Sequence, residues 1–258
     1  MSDSVSWIES HDTKGMATLD FVAQRIAKRN VTGAVWIPDD PNPDVPLMLF
    51  GHGASGDRYQ TPIPELAQRF VEELRCPVLS LDGPVHGLRA MEPGGRQALF
   101  AELRRAEAVA DMVEEWHFGI ELAFNRDDIG PRPLSYFGLS MGSVFGIPLL
   151  AERDDVIVST IGLIGTTGAT SNLREMLMEA ASKLTHPVFC IMQLEDELFP
   201  RDGYLELFDS IGSEDKRLHA NPGLHPEVPL EELLFSFEFM KGHIEGTASK
   251  RIVNPLAE

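Results

Sequence analysis

The sequence of 258 residues contains little cysteine, with only Cys76 and Cys190. Each lies in an apolar run beside a Pro-Val step, and no neighbouring residues give the spacing of a metal site. So few cysteines exclude a small scaffold held together by disulfides. We expect both thiols to be reduced and buried in the core.

Positive charge is also scarce: the sequence has 22 Lys and Arg residues against 40 Asp and Glu residues, which gives a net charge of −18. Such a surface repels phosphate backbones and anionic lipids, which makes nucleic acid and membranes poor partners. No apolar run approaches the roughly 18 residues that span a bilayer. Residues 1–10 lack the basic and apolar regions of a signal peptide, and residues 254–258 match no lipidation or retention signal. We therefore expect a soluble cytoplasmic protein.

From residue 47 onward, short apolar runs that end in Gly or Pro turns alternate with longer amphipathic stretches. This alternation is typical of the α/β class, here one domain (residues 1–258) with a mostly parallel, doubly wound sheet and helices on both faces. Segments 21–26 and 31–37 are predicted as an antiparallel edge pair. The other predicted strands are 47–50, 77–81, 134–137, 156–163, 187–194 and a short one near 216–218. The predicted helices are 61–74, 97–124, 141–151, 173–184, 203–210 and 230–240.

The longest predicted helix, 97–124, carries a stripe of apolar residues spaced by three and four. The stripe consists of Leu99, Leu103, Ala106, Ala110 and Val113. We interpret this segment as an ordinary packing helix.

A Gly-x-Ser-x-Gly pattern centred on Ser140 follows a predicted strand and opens a predicted helix. A turn of this kind is so tight that its flanking positions must be glycine, and it exposes the serine hydroxyl above the sheet edge. The helix that follows would present the Met141 N–H to developing negative charge. The alternative is a glycine-rich turn with a solvated serine.

A second loop, with the sequence Gly-His-Gly-Ala-Ser-Gly at 51–56, also follows an apolar strand. A sharp bend here would point the Ala54 N–H at the same developing negative charge as the Met141 N–H. Two N–H donors are the usual minimum for a site that stabilises an oxyanion. His52 could be read as a base, but we interpret it as a structural residue that holds the loop by hydrogen bonds.

Two further loops could complete a catalytic set. Glu195, Asp196 and Glu197 follow an apolar strand, and the apolar residues after them indicate that part of this loop turns back into the fold, burying one carboxylate. His225 lies in a Pro- and Gly-rich loop, as a base that must swing between two partners requires, and His219 near a short last strand is a weaker alternative.

The order of serine, acid and histidine along the chain matches that of α/β-hydrolases, and all four loops fall where ligands bind in an open parallel sheet. The sequence thus resembles the α/β-hydrolase superfamily over roughly residues 31–240, and within it the dienelactone-hydrolase-like and small acyl-esterase groups. The resemblance rests on the loops described above and on the turn at 82–87. It implies Ser140 as nucleophile, Asp196 as acid, His225 as base, Ala54 and Met141 as oxyanion donors, and His52, Gly53 and His86 as residues that shape the pocket.

Dienelactone hydrolases carry a cysteine nucleophile, so the serine at position 140 departs from their pattern. We predict a serine hydrolase that cleaves a small carboxylic ester or thioester through an acyl-enzyme, with no metal or organic cofactor. Segments 83–133 and 166–186 are expected to cover the pocket as a minimal lid. The alternatives are a peptidase, a cofactor-free haloperoxidase and a non-catalytic protein that binds a small molecule.

Overall fold

The computed structural model describes residues 4–13, 16–92 and 94–248. Residues 1–3 and 249–258, which belong to the terminal segments without a predicted targeting signal, lie outside the described residues. The elements in chain order are β1 (Ser4–Thr13), β2 (Met16–Gln24), β3 (Val31–Pro38), β4 (Leu47–Gly51), α1 (Ile63–Leu74), β5 (Val78–Leu81), α2 (Gly95–Glu102), α3 (Ala108–Phe124), β6 (Leu134–Leu139), α4 (Met141–Ala151), β7 (Val156–Gly162), α5 (Arg174–Ser182), β8 (Val188–Gln193), α6 (Arg201–Ser210), β9 (Lys216–Asn221) and α7 (Leu230–Ile244).

The strands of the described chain form one sheet in the order β1-β2-β3-β5-β4-β6-β7-β8-β9. Strands β4 to β9 run parallel to one another, whereas β1, β2 and β3 pair antiparallel and join the parallel part through β5. The predicted mostly parallel sheet is confirmed.

Helices cover both faces of this sheet. On one face α1 and α7 meet, with the rings of Phe70 and Phe237 4.9 Å apart. On the other face α3, α4, α5 and α6 pack through residues such as Trp116, Ile147 and Leu177. Because a strand covered on both faces buries every side chain, β4 reads as a continuous apolar run in the sequence, and all five of its residues are buried.

The long predicted helix at 97–124 is wrong in its continuity, because it is two helices, α2 and α3, joined by turns at 103–107. The predicted stripe is also wrong, since Ala106 and Ala110 are exposed. Leu99 of α2 and Met112 of α3 belong to the same hydrophobic core, and Leu99 also lines a cavity above the sheet. Residues 104–107 are all exposed, so no buried apolar side chain stabilises a continuous helix across the join.

The N-terminal part contains one strand more than expected. The predicted antiparallel pair is present as β2 and β3, but β1 lies outside it and forms the edge of the sheet. Its first five residues are Ser-Val-Ser-Trp-Ile, of which four are exposed, and the rest of the strand is polar in sequence, so the strand signal is weak.

Three further expectations concern burial and length. Cys76 and Cys190 are free thiols, and both are buried. Burial raises the pKa of each to about 12, which keeps the thiols protonated. Within the described ranges, every helix is too short or too polar to cross a membrane.

The parallel topology decides where the loops of interest meet. The loops after β4, β6, β8 and β9 all leave the carboxyl ends of neighbouring parallel strands, so they share one edge of the sheet. The four sequence patterns singled out above belong to these four loops.

Candidate active site

Ser140 lies in the tight turn between β6 and α4. Its backbone has φ 56° and ψ −119°, a left-handed conformation that is costly for a residue with a side chain. The Ser140 N–H donates to the Gly162 carbonyl at 2.9 Å, and the Ser140 carbonyl accepts from Ser143 and Val144 at the start of α4. The surrounding hydrogen bonds therefore hold the strained turn in place.

Two glycines make room for this turn. A Cβ atom on Gly142 would lie 2.3 Å from the Gly51 carbonyl oxygen, and one on Gly138 would lie 2.7 Å from the Tyr136 ring. The buried Tyr136 hydroxyl donates to the Gly142 carbonyl at 2.6 Å. Strand β4, the tyrosine ring and the turn are thus packed so closely that only glycine fits at both positions.

The imidazole of His225 lies between Ser140 and Asp196. Its Nε2 is 2.9 Å from the Ser140 Oγ, and its Nδ1 is 2.8 Å from the Asp196 Oδ2. A carboxylate only accepts hydrogen bonds, so Nδ1 carries the proton and the Nε2 lone pair faces the serine hydroxyl. In this tautomer the imidazole can accept the proton of Ser140.

Asp196 is held as a carboxylate in a shielded place, with 3% of its side chain exposed. Burial alone would raise its pKa, but hydrogen bonds from His225 and from the backbone N–H groups of Leu198 and Phe199 outweigh burial and lower the pKa. The Phe199 ring packs at 5.5 Å from the His225 ring, so the apolar end of this loop does turn back into the fold.

The two neighbouring carboxylates hold the histidine loop by its backbone. Glu195 accepts from the Gly223 N–H at 2.6 Å, and Glu197 accepts from the His225 N–H at 2.9 Å. Each of the three acidic residues thus accepts a hydrogen bond from the same loop, and Asp196 alone contacts the imidazole. Of the three carboxylates left open by the residue pattern, the geometry brings Asp196 to the base.

His219, the weaker alternative for the base, lies on β9. Its Nδ1 contacts the Glu232 carboxylate at 2.8 Å, and its ring packs against Phe189 and Phe235. It is not among the residues that line the cavity next to Ser140.

The two expected oxyanion donors lie beside Ser140. Ala54 and Met141 both line the same cavity, and in the described part of the chain neither backbone N–H has a hydrogen-bond acceptor. Met141 is the first residue of α4, where an N–H has no acceptor within the helix. Both donors are therefore available to a ligand.

His52 and His86 support the loop that carries Ala54. The His52 Nε2 accepts from the Gly83 N–H at 2.7 Å, so its Nδ1 carries the proton and donates to the Gly53 carbonyl at 2.7 Å. Burial lowers the pKa of His52 to about 4, and the ring is neutral near pH 7. With its one lone pair occupied, His52 cannot act as a base. His86 contacts the Ala54 carbonyl at 3.1 Å and the Pro84 carbonyl at 2.6 Å.

The cavity above Ser140 has a volume of about 310 Å³. Both segments expected to cover it contribute to its wall, 83–133 through α2 and 166–186 through Ala169 and Thr170. Most of the lining is apolar, no described carboxylate lines it, and Arg96 at the start of α2 is its one permanently charged side chain in the described residues. The lining includes Ile63, Leu99, Phe100, Leu103, Phe137, Val144, Leu163, Leu198, Val228 and Leu233.

The sequence reasoning missed Gln60, Glu195 and Glu197 as parts of the site. Gln60 lines the cavity and bonds to the loop that carries Ala54, yet it stands in no recognisable pattern. The two glutamates were considered only as rivals of Asp196. The two glutamates accept from the backbone N–H groups of Gly223 and His225. These N–H groups face the glutamates only in the folded loop, so the sequence carries no signal for this role.

No protein-family model matches this chain, and no curated protein is similar enough in sequence to match it. Among solved structures, the chain is similar to a PEG-bound cold-adapted esterase from an Arctic intertidal metagenomic library. The two share 28% identity with a TM-score of 0.78, over 93% of this chain and 99% of that one.

More distant structures share the architecture. An acetyl xylan esterase from a Paenibacillus species has 14% identity and a TM-score of 0.67, over 93% of this chain and 88% of that one. An esterase from Pyrococcus furiosus has 16% identity and a TM-score of 0.64, over 92% of this chain and 98% of that one. Together with the mostly parallel sheet wound by helices on both faces, these likenesses establish that the chain has the α/β-hydrolase fold.

Proposed function

We propose that this protein hydrolyses small carboxylic esters or thioesters through an acyl-enzyme formed on Ser140. A cold-adapted esterase that is 28% identical over 93% of the chain supports ester hydrolysis as the reaction class. Within the superfamily, the proposal favours the dienelactone-hydrolase-like and small acyl-esterase groups, with serine in place of cysteine as the nucleophile.

One observation carries the proposal. A continuous path of hydrogen bonds runs from the Ser140 hydroxyl through His225 to Asp196, at the wall of an apolar cavity that also presents two free N–H groups. Nucleophile, base, orienting acid and anion donors are the four parts that acyl transfer requires.

In the first half of the reaction, the Ser140 Oγ attacks the ester carbonyl carbon while its proton moves to the His225 Nε2. The imidazolium that forms is stabilised by the Asp196 carboxylate, and the N–H groups of Ala54 and Met141 donate to the negative oxygen of the tetrahedral intermediate. His225 then gives its proton to the leaving alcohol, the C–O bond to the alcohol breaks, and the acyl group stays on the serine.

In the second half, water replaces the alcohol in the cavity. His225 takes a proton from the water while the water oxygen attacks the acyl carbon. His225 then gives this proton to the Ser140 Oγ as the bond between the acyl carbon and Oγ breaks and the acid leaves. The free enzyme is restored, and the sum of both halves is one ester plus one water giving one alcohol and one acid.

The cavity limits what can bind. Ligand sites in proteins span about 300–1,000 Å³, and the cavity here, with about 310 Å³, lies at the small end. Its lining is largely apolar, which favours short, uncharged acyl and alcohol groups over a polypeptide.

The test compares wild-type protein with Ser140→Ala on p-nitrophenyl acetate and butyrate. We expect the variant to lose turnover while its circular dichroism spectrum stays that of the wild type. Unchanged turnover in the variant would remove Ser140 from the mechanism. A fluorophosphonate that labels wild type but not the variant would exclude the non-catalytic alternative, and faster cleavage of peptides than of esters by wild type would favour the peptidase.

A further inference from the structure

The loop that carries Ala54 depends on side chains for its shape. In residues 52–56 it forms neither helix nor strand, so its peptide groups are not fixed by a ladder of backbone hydrogen bonds. One backbone bond, from the Gly56 N–H to the Gly53 carbonyl at 3.3 Å, closes a turn around Ala54. The direction of the Ala54 N–H must therefore be set mainly by side chains that bond to the loop backbone.

His52 fixes the peptide plane between residues 53 and 54. A trans peptide is planar, with its carbonyl and its N–H pointing in opposite directions. Because the His52 ring holds the Gly53 carbonyl, the Ala54 N–H of the same plane points away from that ring. The neighbouring peptide planes must also be held in place, because rotation about the backbone bonds of Gly53 or Ala54 would change the direction of the Ala54 N–H.

Gln60 supplies an anchor on each side of Ala54 with one amide group. Its Oε1 accepts from the Gly53 N–H at 2.7 Å, and its Nε2 donates to the Ser55 Oγ at 2.8 Å. Gln60 is itself held by a hydrogen bond from its N–H to the Asp57 carbonyl at 2.8 Å.

The same amide also decides which N–H groups remain free. Gly53 and Ala54 both line the cavity, and both carry an N–H. The bond to Gln60 engages the Gly53 N–H, so it leaves Ala54 as the free donor of these two.

The glycines of the loop are shaped around this side chain. A Cβ atom on Gly56 would lie 2.6 Å from the Gln60 Cβ, and one on Gly53 would lie 3.3 Å from the Gln60 Oε1. The loop can close over Gln60 at these two points only because neither residue has a side chain. Loop and glutamine therefore fit together as one unit.

We propose that Gln60 is a positioning residue for the oxyanion hole, which aims the Ala54 N–H by bracing the residues on both sides of it. This inference rests on the proposed ester hydrolysis. Gln60 contacts neither the nucleophile nor the base, and both polar atoms of its amide are bonded to the loop, so we expect its loss to weaken stabilisation of the tetrahedral intermediate more than substrate binding.

The experiment compares Gln60→Met, which keeps the length of the side chain and removes both hydrogen bonds, with Ser55→Ala, which removes one. Gln68→Met is the matched control, because Gln68 lies exposed on α1 and outside the cavity lining. Each protein is titrated for active sites by its p-nitrophenol burst, and kcat and KM for p-nitrophenyl butyrate are measured. The inhibition constant of a trifluoromethyl ketone of matched chain length, which forms a tetrahedral oxyanion on a serine, is measured beside them.

Removing a whole oxyanion donor costs about 100- to 1,000-fold in kcat. Because Gln60→Met misaligns a donor without deleting it, we expect kcat to fall roughly 10- to 100-fold with KM within about twofold, and the ketone inhibition constant to rise by the same factor as kcat/KM falls. Ser55→Ala should show a smaller loss of the same kind, and Gln68→Met none.

Three results would overturn the inference: wild-type kcat in Gln60→Met, a change confined to KM, or a loss of kcat with an unchanged ketone inhibition constant. If Gln60→Met does not fold, Ser55→Ala decides, since it must weaken kcat and ketone binding together. Failure of the proposed function is distinct, because the wild type itself would then turn over no ester.

Discussion

Replacing Asp196 by asparagine tests how the acid sets the proton on His225. The Asp196 Oδ1 accepts from the backbone N–H groups of Leu198 and Phe199 at 2.8 and 3.0 Å, and its Oδ2 accepts from the His225 Nδ1 at 2.8 Å. An asparagine must keep its oxygen on the two backbone donors, because turning its NH₂ toward them would oppose donors with donors. The NH₂ group then faces the imidazole.

This orientation places the His225 proton on the wrong nitrogen. The ring must offer its Nδ1 lone pair to the asparagine NH₂, so its Nε2 carries the proton and cannot accept one from Ser140. Exchanging the acid of a Ser-His-Asp triad for its amide lowers kcat by about 10⁴-fold, and we expect about 10³- to 10⁴-fold here. That loss corresponds to about 4 to 5.5 kcal/mol of barrier.

The assay is kcat for p-nitrophenyl butyrate per titrated active site, with mass spectrometry to exclude deamidation back to aspartate. Glu197→Gln is the control, because its amide oxygen can still accept from the His225 backbone N–H. We expect this control to keep kcat within about threefold, a small effect typical of surface changes. More than a tenth of wild-type kcat in Asp196→Asn, or an equal loss in Glu197→Gln, would refute the reasoning.

Three further predictions concern stability and the rejected base. Burial lowers the pKa of His186 and His52 to about 4, whereas histidines of the unfolded chain have a pKa near 6.5. The unfolded chain therefore binds protons first, and the free energy of unfolding falls as the pH drops from 6.5 to 4. In urea titrations, His186→Asn should remove roughly 3 kcal/mol of that fall, and an unchanged pH dependence would contradict the prediction. Gly142→Ala drives a Cβ atom to 2.3 Å from the Gly51 carbonyl, and should cost about 1–3 kcal/mol of stability along with kcat, measured by thermal melts and the esterase assay; wild-type values for both would count against the tight turn. His219→Ala should keep kcat within about twofold, because its ring lies outside the cavity lining, and a large loss would return His219 to consideration as the base.

The sequence was most informative where structure is decided locally. The alternation of apolar runs and amphipathic stretches predicted the parallel sheet, since strands buried on both faces have no polar side. The start of α4 at Met141 follows directly from the glycine pattern around Ser140, because the conformation of that turn depends on neighbouring residues.

Features that depend on distant partners were not predictable in this way. Strand β1 pairs with β2 alone at the edge of the sheet, and the break between α2 and α3 falls at residues 104–107, which are all exposed. Gln60 meets Gly53 only through the shape of the intervening loop. Likewise, the choice among three adjacent carboxylates depends on a loop that follows 28 or 29 positions later in the chain.

The catalytic groups and part of the cavity wall lie on different elements, and this arrangement has a consequence for evolution. The reacting groups stand on the loops that follow β6, β8 and β9, whereas Arg96, Leu99 and Phe100 of the cavity lining belong to α2, an eight-residue helix whose one buried residue is Leu99. Changes at the exposed Arg96 and Phe100 can therefore reshape the space offered to a substrate while the hydrophobic core and the proton relay stay intact. Libraries confined to these two exposed positions of α2 are a natural starting point for changing selectivity by directed evolution, and we expect little loss of folded protein among the variants.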